Sequence, residues 1–247
     1  MTDQDKGVVI VTGASRGIGA AIAERLADDG YGVVVNYGAD AEGAELVVSA
    51  IDAKGGRAAA VRADVASEDE VSDLFDRAQQ MGPLTALVNN AGIAGQRARI
   101  DEQQADELTR LMQVNVVGPM LCAKHAVQAM STAHGGNGGC IVNIASIASK
   151  APAEFTGLVP YAATKGAMVT FARGLSNEVA AEGIRVNSVS PGVIETGIVT
   201  PKEQELGAHS PLGRVGRPEE IAAAVSWLIS PEASYVTGSD ITVSGGR

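Results

Sequence analysis

Residues 7 to 19 read GVVIVTGASRGIG: a β-branched run from Gly7 to Thr12, then Gly13, Gly17 and Gly19 at the head of an apolar-periodic helix reaching about Ala27. The order is strand, glycine turn, helix. Glycines let the backbone turn sharply and approach a ligand, and the helix start behind them presents free N–H groups and partial positive charge to a pyrophosphate. The spacing G-x-x-x-G-x-G departs from the G-x-G-x-x-G fingerprint of the common dinucleotide fold, and a tight turn without ligand is the ordinary alternative. Arg16 stands where the helix dipole disfavours a cation unless an anion compensates it, which a phosphate would do.

Working outward, short apolar runs alternate with helical stretches. Strands are expected at Gly32–Asn36, Arg57–Arg62, Leu84–Val88, Cys140–Ala145, Ile184–Val189 and Ile241–Val243. Strand 2 ends about where an NAD-selective site places an acid on the adenosine ribose, but here the chain reads Asn36-Tyr37-Gly38. With no acid at Asn36 and with Arg16 at hand, the 2′-phosphate of NADP is tolerated and preferred over NAD. Asp40 reads as the N-cap of the next helix. Asp64, after strand 3, suits either an adenine amino group or a turn. Strand 4 ends in Asn89-Asn90-Ala91-Gly92, two amides able to tie strand ends together and two small residues that leave room for a ribose.

At 247 residues, with 45% hydrophobic and 19% charged residues and no visible linker, the chain is expected to be one domain, 1–247. No apolar run is long enough to cross a bilayer, and the polar start, Met1 to Lys6, shows no signal peptide. Two cysteines, Cys122 and Cys140, make no disulfide scaffold, and a cytoplasmic location is the simplest reading. A net charge of −10 argues against nucleic acid or a membrane surface as partner.

From about Glu102 to Ala133 a long helical region is expected, with Asn115 interrupting its apolar face; a buried Asn there either anchors a proton path or is simply satisfied in the core. Cys122 and His125 are spaced like a ligand pair but have no second pair, so no metal is expected. Ser146 ends strand 5, fifteen residues before Tyr161, with Ser149 as a second choice. Without a G-x-S-x-G elbow, a serine hydrolase does not fit. Tyr161 and Lys165 lie four residues apart in a small-residue helix running to Glu182, a rotation of about 400° and a rise of about 6 Å, so both point to one face. A fixed ammonium there would draw the phenol from its usual pKa of about 10 toward the working range, making Tyr161 an acid or base.

Taken together, TGASRGIG (Thr12 to Gly19), NNAG (Asn89 to Gly92), Asn115, Ser146, Tyr161-x-x-x-Lys165 and Pro191-Gly192 resemble a short-chain dehydrogenase/reductase from Gly7 to Gly246. The glycine pattern is that family's own. The resemblance implies an α/β fold, a single Rossmann-type doubly wound domain with a seven-stranded parallel sheet, helices on both faces and NAD(P) across the carboxyl ends of the strands. It assigns Tyr161 as acid/base, Lys165 to lowering its pKa and holding the nicotinamide ribose, Ser146 as donor to the substrate carbonyl, and Asn115 to a water relay. A cationic nicotinamide would further favour the phenolate in the oxidation direction.

On the cofactor side it assigns Gly13, Ser15, Arg16, Gly17, Ile18 and Gly19 to the phosphates, and Asp64 and Val65 to adenine. Asn89, Asn90, Ala91 and Gly92 fall to the ribose, and Ile194 with Thr196, after Pro191 and Gly192, to the carboxamide. A loop over 193–217, containing Ile198, Val199, Glu203, Glu205, Leu206, His209, Leu212 and Arg214, would shape the substrate pocket. A helix from Pro218 is expected to carry Trp227 and Leu228 into the core. The expected partner is a small carbonyl or secondary alcohol, in a homotetramer. Within the family the chain is most similar to sugar dehydrogenases and 3-oxoacyl-[acyl carrier protein] reductases. The second activity would want a basic patch, for which Arg97 and Arg99 offer themselves. A non-catalytic NADP sensor or scaffold is the reading from a different class, and the intact catalytic set argues against it.

Overall fold

The computed structural model describes residues 6–152, 155–196, 205 and 207–247. Seven parallel strands form one sheet in the order β3-β2-β1-β4-β5-β6-β7: β1 (Val8–Val11), β2 (Gly32–Tyr37), β3 (Arg57–Arg62), β4 (Leu84–Asn89), β5 (Gly139–Ile144), β6 (Ile184–Pro191) and β7 (Asp240–Val243). The central strands are continuous apolar runs because helices cover both their faces; all four residues of β1 are buried. The alanine-rich edge strand β3 is instead partly exposed and carries Arg57 and Arg62 at its ends.

On one face pack α1 (Gly17–Asp28), α2 (Ala41–Ala53) and α7 (Pro218–Ile229), burying Ile22, Leu26, Ile221 and Leu228 on β-branched strand residues. On the other face α3 (Glu68–Met81), α5 (Gly118–Met130) and α6 (Val159–Val179) bury Leu74, Phe75, Met130 and Ala172. This is the Rossmann-type doubly wound architecture that the family resemblance implied and with which the strand and helix alternation agrees. The chain runs outward from β1 in opposite directions through β2 and β4, so a crevice opens at the carboxyl ends of β1 and β4.

One expectation is refined and one corrected. The helical region expected over about 102–133 is present, as α4 (Ala105–Met112), a π-helical turn over Gln113–Val117, and α5. The reason for the π-turn is in the sequence: Pro119 has no N–H to give the Asn115 carbonyl four residues back, and the Gly118 N–H bonds the carbonyl of Gln113, five back. Trp227 is 39% exposed on α7 while its neighbour Leu228 is fully buried. Adjacent helical positions lie about 100° apart and cannot share the core face. Asp40 does cap α2, accepting the Gly43 N–H at 3.0 Å.

In the loop after β6, Ile194 bridges Gly216, with N–H to carbonyl bonds from Glu195 to Gly216 and from Gly216 to Val193. A helical turn includes Gly207 and Ala208. Ile198, Val199, Glu203 and Leu206 lie outside the described residues.

Candidate active site

The glycine turn sits at the switch point and is fixed from both flanks. On the β2 side, the Asn36 amide accepts the Gly13 N–H at 3.2 Å and donates to the carbonyls of Val61 and Ala63. Asn36 therefore lines the crevice with its amide already engaged as a strut. On the β4 side, Asn90 Nδ2 donates to the carbonyls of Thr12 and Gly13, both at 2.9 Å, while Thr12 Oγ1 accepts the N–H groups of Asn90 and Ala91. Asn89 donates to Asn143 Oδ1 and to the Pro119 carbonyl, joining β4 to β5 and α5.

Within this frame side chains are excluded. Gly13 and Gly17 have φ of 61° and 57°, and a Cβ on Gly13 would come within 2.8 Å of Ala91 Cα. A Cβ on Gly19 would overlap the Gly13 carbonyl oxygen and lie 2.5 Å from Asn90 Nδ2. Arg16 is the N-cap of α1 without a side-chain cap bond, so the first N–H groups of the helix face the crevice.

The crevice encloses a cavity of about 740 Å³ lined by the glycine turn, Ser15, Arg16, Ile18, Asn36, Asp64, Val65, Asn90, Ala91, Gly92 and Thr196. Tyr37, Gly38 and Asp40, read from sequence as a strand end and a helix cap, line it as well, as do Arg62, Ile93, Arg110 and Val114, which the sequence did not assign to the site. For Tyr37 and Gly38 the signal was available in their place at the carboxyl end of β2; for Arg110, on a helix 46 residues beyond Asp64, there was none. Asp64 accepts the Ala66 N–H in a turn and pairs with Arg110 at 2.9 Å. Arg16 has no acidic partner among the described residues. Pro191, Gly192 and Ile194 do not line this cavity: Gly192 N–H bonds the Val243 carbonyl and Ile194 is buried in the core. Thr196 packs over Gly17. A glycine cradle that no Cβ can enter, free helix N–H groups and an uncompensated guanidinium fit a nicotinamide dinucleotide.

At Gly92 the cavity meets the second half of the site, for a Cβ there would lie 3.3 Å from Asn115 Oδ1 and 3.5 Å from Lys165 Nζ. The Asn115 amide is buried in the π-turn, paired with both the N–H and the carbonyl of Ile93 at 2.8 Å and with Thr164 Oγ1 at 3.1 Å. Lys165 Nζ donates to the Ile144 carbonyl at 2.8 Å and lies 5.7 Å from the centre of the Tyr161 ring. Ser146, two residues on from Ile144, accepts the Ala148 N–H at 3.1 Å through Oγ, which keeps its own O–H free to donate. Ser149 instead donates back to the Ser146 carbonyl.

Burial shifts both titratable groups. It pulls the Lys165 ammonium down to about 8. It pushes the Tyr161 phenol up, and the neighbouring Ser146 side chain offsets part of that rise. The expected lowering of Tyr161 by Lys165 is therefore not achieved by the protein alone. Lys165 gives one N–H to the Ile144 carbonyl and its own charge is penalised by burial, so desolvation of the phenolate wins.

Among the described residues no group of three or more His, Cys, Asp and Glu could hold a metal ion. Cys122 and Cys140 are free and buried. No described helix is long and apolar enough to cross a membrane.

A family model described as Enoyl-(Acyl carrier protein) reductase matches residues 13–247. The chain belongs to the short-chain dehydrogenase/reductase family. It is 44% identical to the uncharacterized oxidoreductase YgfF of Escherichia coli, over 97% of this chain and 99% of that protein. It is 40% identical to glucose 1-dehydrogenase 2 of Bacillus subtilis, over 96% and 93%. Among solved structures, a blue fluorescent protein from a metagenomic library in complex with NADPH superposes with a TM-score of 0.91, at 37% identity and 99% coverage of both chains. This member of the family is an NAD(P)-dependent oxidoreductase.

Proposed function

We propose that the protein moves hydride between NADPH, preferred over NADH, and a small carbonyl or secondary alcohol, with Tyr161 as the acid and base. The observation that carries this reading is the convergence of Ser146, Tyr161 and Lys165 at the end of β5, beside a glycine-walled cavity that they meet at Gly92. The nicotinamide supplies the hydride.

In the reduction direction the Ser146 O–H, its oxygen already occupied by Ala148, donates to the substrate carbonyl and orients it. Tyr161 gives its proton to the oxygen as negative charge develops there. A phenol held up by burial stays protonated at neutral pH and is a suitable donor to an alkoxide, which is far more basic. Lys165, fixed at the Ile144 carbonyl, keeps two N–H donors for the ribose hydroxyls. Asn115 holds Ile93 and Thr164 in place, and the proton relay is assigned to it because Pro119 withholds an N–H from its carbonyl.

The NADPH preference rests on Arg16 and on the absence of an acid at Asn36, whose amide is turned to the backbone. The acyl-carrier alternative gains no specific support: Arg99 pairs with Asp101 at 2.8 Å, which leaves the exposed Arg97, bonded to the Thr156 carbonyl, as a single cation rather than a basic patch. A homotetramer in the cytoplasm completes the reading; the fully exposed Tyr235 and part-exposed Trp227 beside β7 support a contact between copies there.

The test is to titrate NADPH and NADH separately into purified protein and then assay a panel of ketones, quinones and sugars. Oxidation of NADPH with at least one carbonyl is expected. Nucleotide binding without turnover on the whole panel would return the protein to a sensor role, and a monomeric mass in solution would remove the tetramer.

A further inference from the structure

The loop after β4 and the segment leading into α6 are tied together in front of Tyr161. Arg97 Nη1 donates to the Thr156 carbonyl at 2.6 Å, and the Ala98 N–H donates to the Gly157 carbonyl at 3.0 Å. Gln103 Nε2 braces the Arg97 side of this strap from below, donating to the carbonyls of Gln96 and Ala98 at 3.2 and 3.1 Å. Gly157 is compelled twice over: its φ is +78°, and a Cβ there would lie 2.9 Å from Arg97 Cγ. Four residues after Gly157 comes Tyr161, in the first turn of a helix whose N-cap, Leu158, has no side-chain bond.

Behind the strap a crevice of about 10 Å³ runs to Tyr161, walled by Leu108, Leu111, Leu158 and Pro160 and, on its polar side, by Gln103 and Glu107. That volume holds about one water. Its walls are mostly apolar, so the limit on what enters from this side is steric.

We propose that Arg97 is a specificity-determining residue: by closing the strap it limits the substituent that a carbonyl substrate can place on the Leu158 side of Tyr161. This rests on the oxidoreductase reading above. Truncating Arg97 frees one side of the strap and lets the crevice widen, whereas lysine can still reach a backbone carbonyl with one donor. The chemical step does not change, so the effect is on the choice between substrates. Pocket contacts of one or two methylene groups discriminate by about 10- to 200-fold, which sets the scale.

The experiment compares wild type, Arg97→Ala, Arg97→Lys and Gln103→Ala with NADPH on cyclohexanone and on a fused two-ring ketone. Amide exchange is followed at Ala98 and over 156–162. For Arg97→Ala the ratio of kcat/KM, bulky over small, is expected to rise about tenfold through KM, with faster exchange at Ala98. Arg97→Lys should stay near wild type, and Gln103→Ala should move the same way by less and serves if Arg97→Ala fails to fold. An active wild type whose ratio stays within about twofold in both alanine variants overturns the strap. A wild type silent on both ketones and on the whole panel of ketones, quinones and sugars instead removes the reading on which the size limit rests.

Discussion

On the β1–β2 side of the switch point the crevice is shaped by backbone. Gly13 and Gly19 leave no room for a Cβ and Gly17 holds a left-handed φ, Asn36 and Asn90 hold the turn through carbonyls and N–H groups, and the α1 N-terminus offers its own amides. On the β5 side the same crevice is shaped by side chains taken largely out of water: a lysine at 6% exposure, a serine at 8% and a half-buried phenol. The first half is sensitive to volume and indifferent to pH; the second is sensitive to protonation. Each can be damaged without the other.

The largest effect is expected from Tyr161→Phe, which removes one oxygen and no packing. Turnover should fall about a thousandfold, within the range for a lost general acid, while nucleotide affinity measured by fluorescence titration stays within about twofold. Retained turnover with normal nucleotide binding would sink the mechanism.

Next comes the buried ammonium, whose test needs no substrate. Lys165 is lowered from 10.5 to about 8, so between those values the unfolded chain binds a proton that the folded chain has released. Stability therefore rises with pH across that window, and below pH 8 the full burial penalty stands. Against Lys165→Met, wild type should gain about 3 kcal/mol in relative stability from pH 7 to 10.5. The raised Tyr161, present in both proteins, cancels in the difference. Urea melts at the two pH values check this, and a constant gap means the lysine is not desolvated.

On the backbone side, Gly19→Ala should cost about 2 kcal/mol of nucleotide affinity, roughly thirtyfold in Kd, because the Gly13 carbonyl must give way. The kcat at saturating nucleotide should remain within about threefold. A reversed pattern, with kcat lost and Kd kept, would abolish the division between the halves.

The two sides were also unequally legible in the sequence. β-Branched runs bounded by glycine and asparagine mark strands directly, and the glycine turn declares itself because a missing Cβ is a property of the residue alone. The π-turn at 113–117 hid inside an apolar pattern that reads as continuous helix; its one sign was Pro119 four residues beyond Asn115. The direction of the Tyr161 shift could not be read, because spacing gives the nearness of Lys165 but not the depth at which both are buried or the Ile144 carbonyl that occupies the ammonium. Arg62 and Arg110 joined the cavity wall only through tertiary packing.

Smaller effects sharpen the nucleotide side. Arg16→Ala should lower the NADPH over NADH preference in kcat/KM about tenfold, the worth of one charge-assisted phosphate contact; an unchanged ratio moves that role to Arg62 or Arg110, the other cations on the cavity wall.

Arg110 supplies the smallest effect. Its pair with Asp64 spans the cavity rim at 2.9 Å, but the two side chains are 52% and 35% exposed, and pairs so open to water contribute about 0.5 kcal/mol. Asp64 keeps its turn bond to the Ala66 N–H without Arg110, so the loop after β3 should hold its shape. Arg110→Ala should thus change nucleotide Kd by less than about threefold and the melting temperature by about two degrees or less. A tenfold loss of affinity in low salt that vanishes in high salt would mean that the guanidinium acts on the nucleotide itself. The adenosine end would then be read by side-chain charge, and the contrast between a backbone half and a side-chain half would have to be redrawn at Arg110.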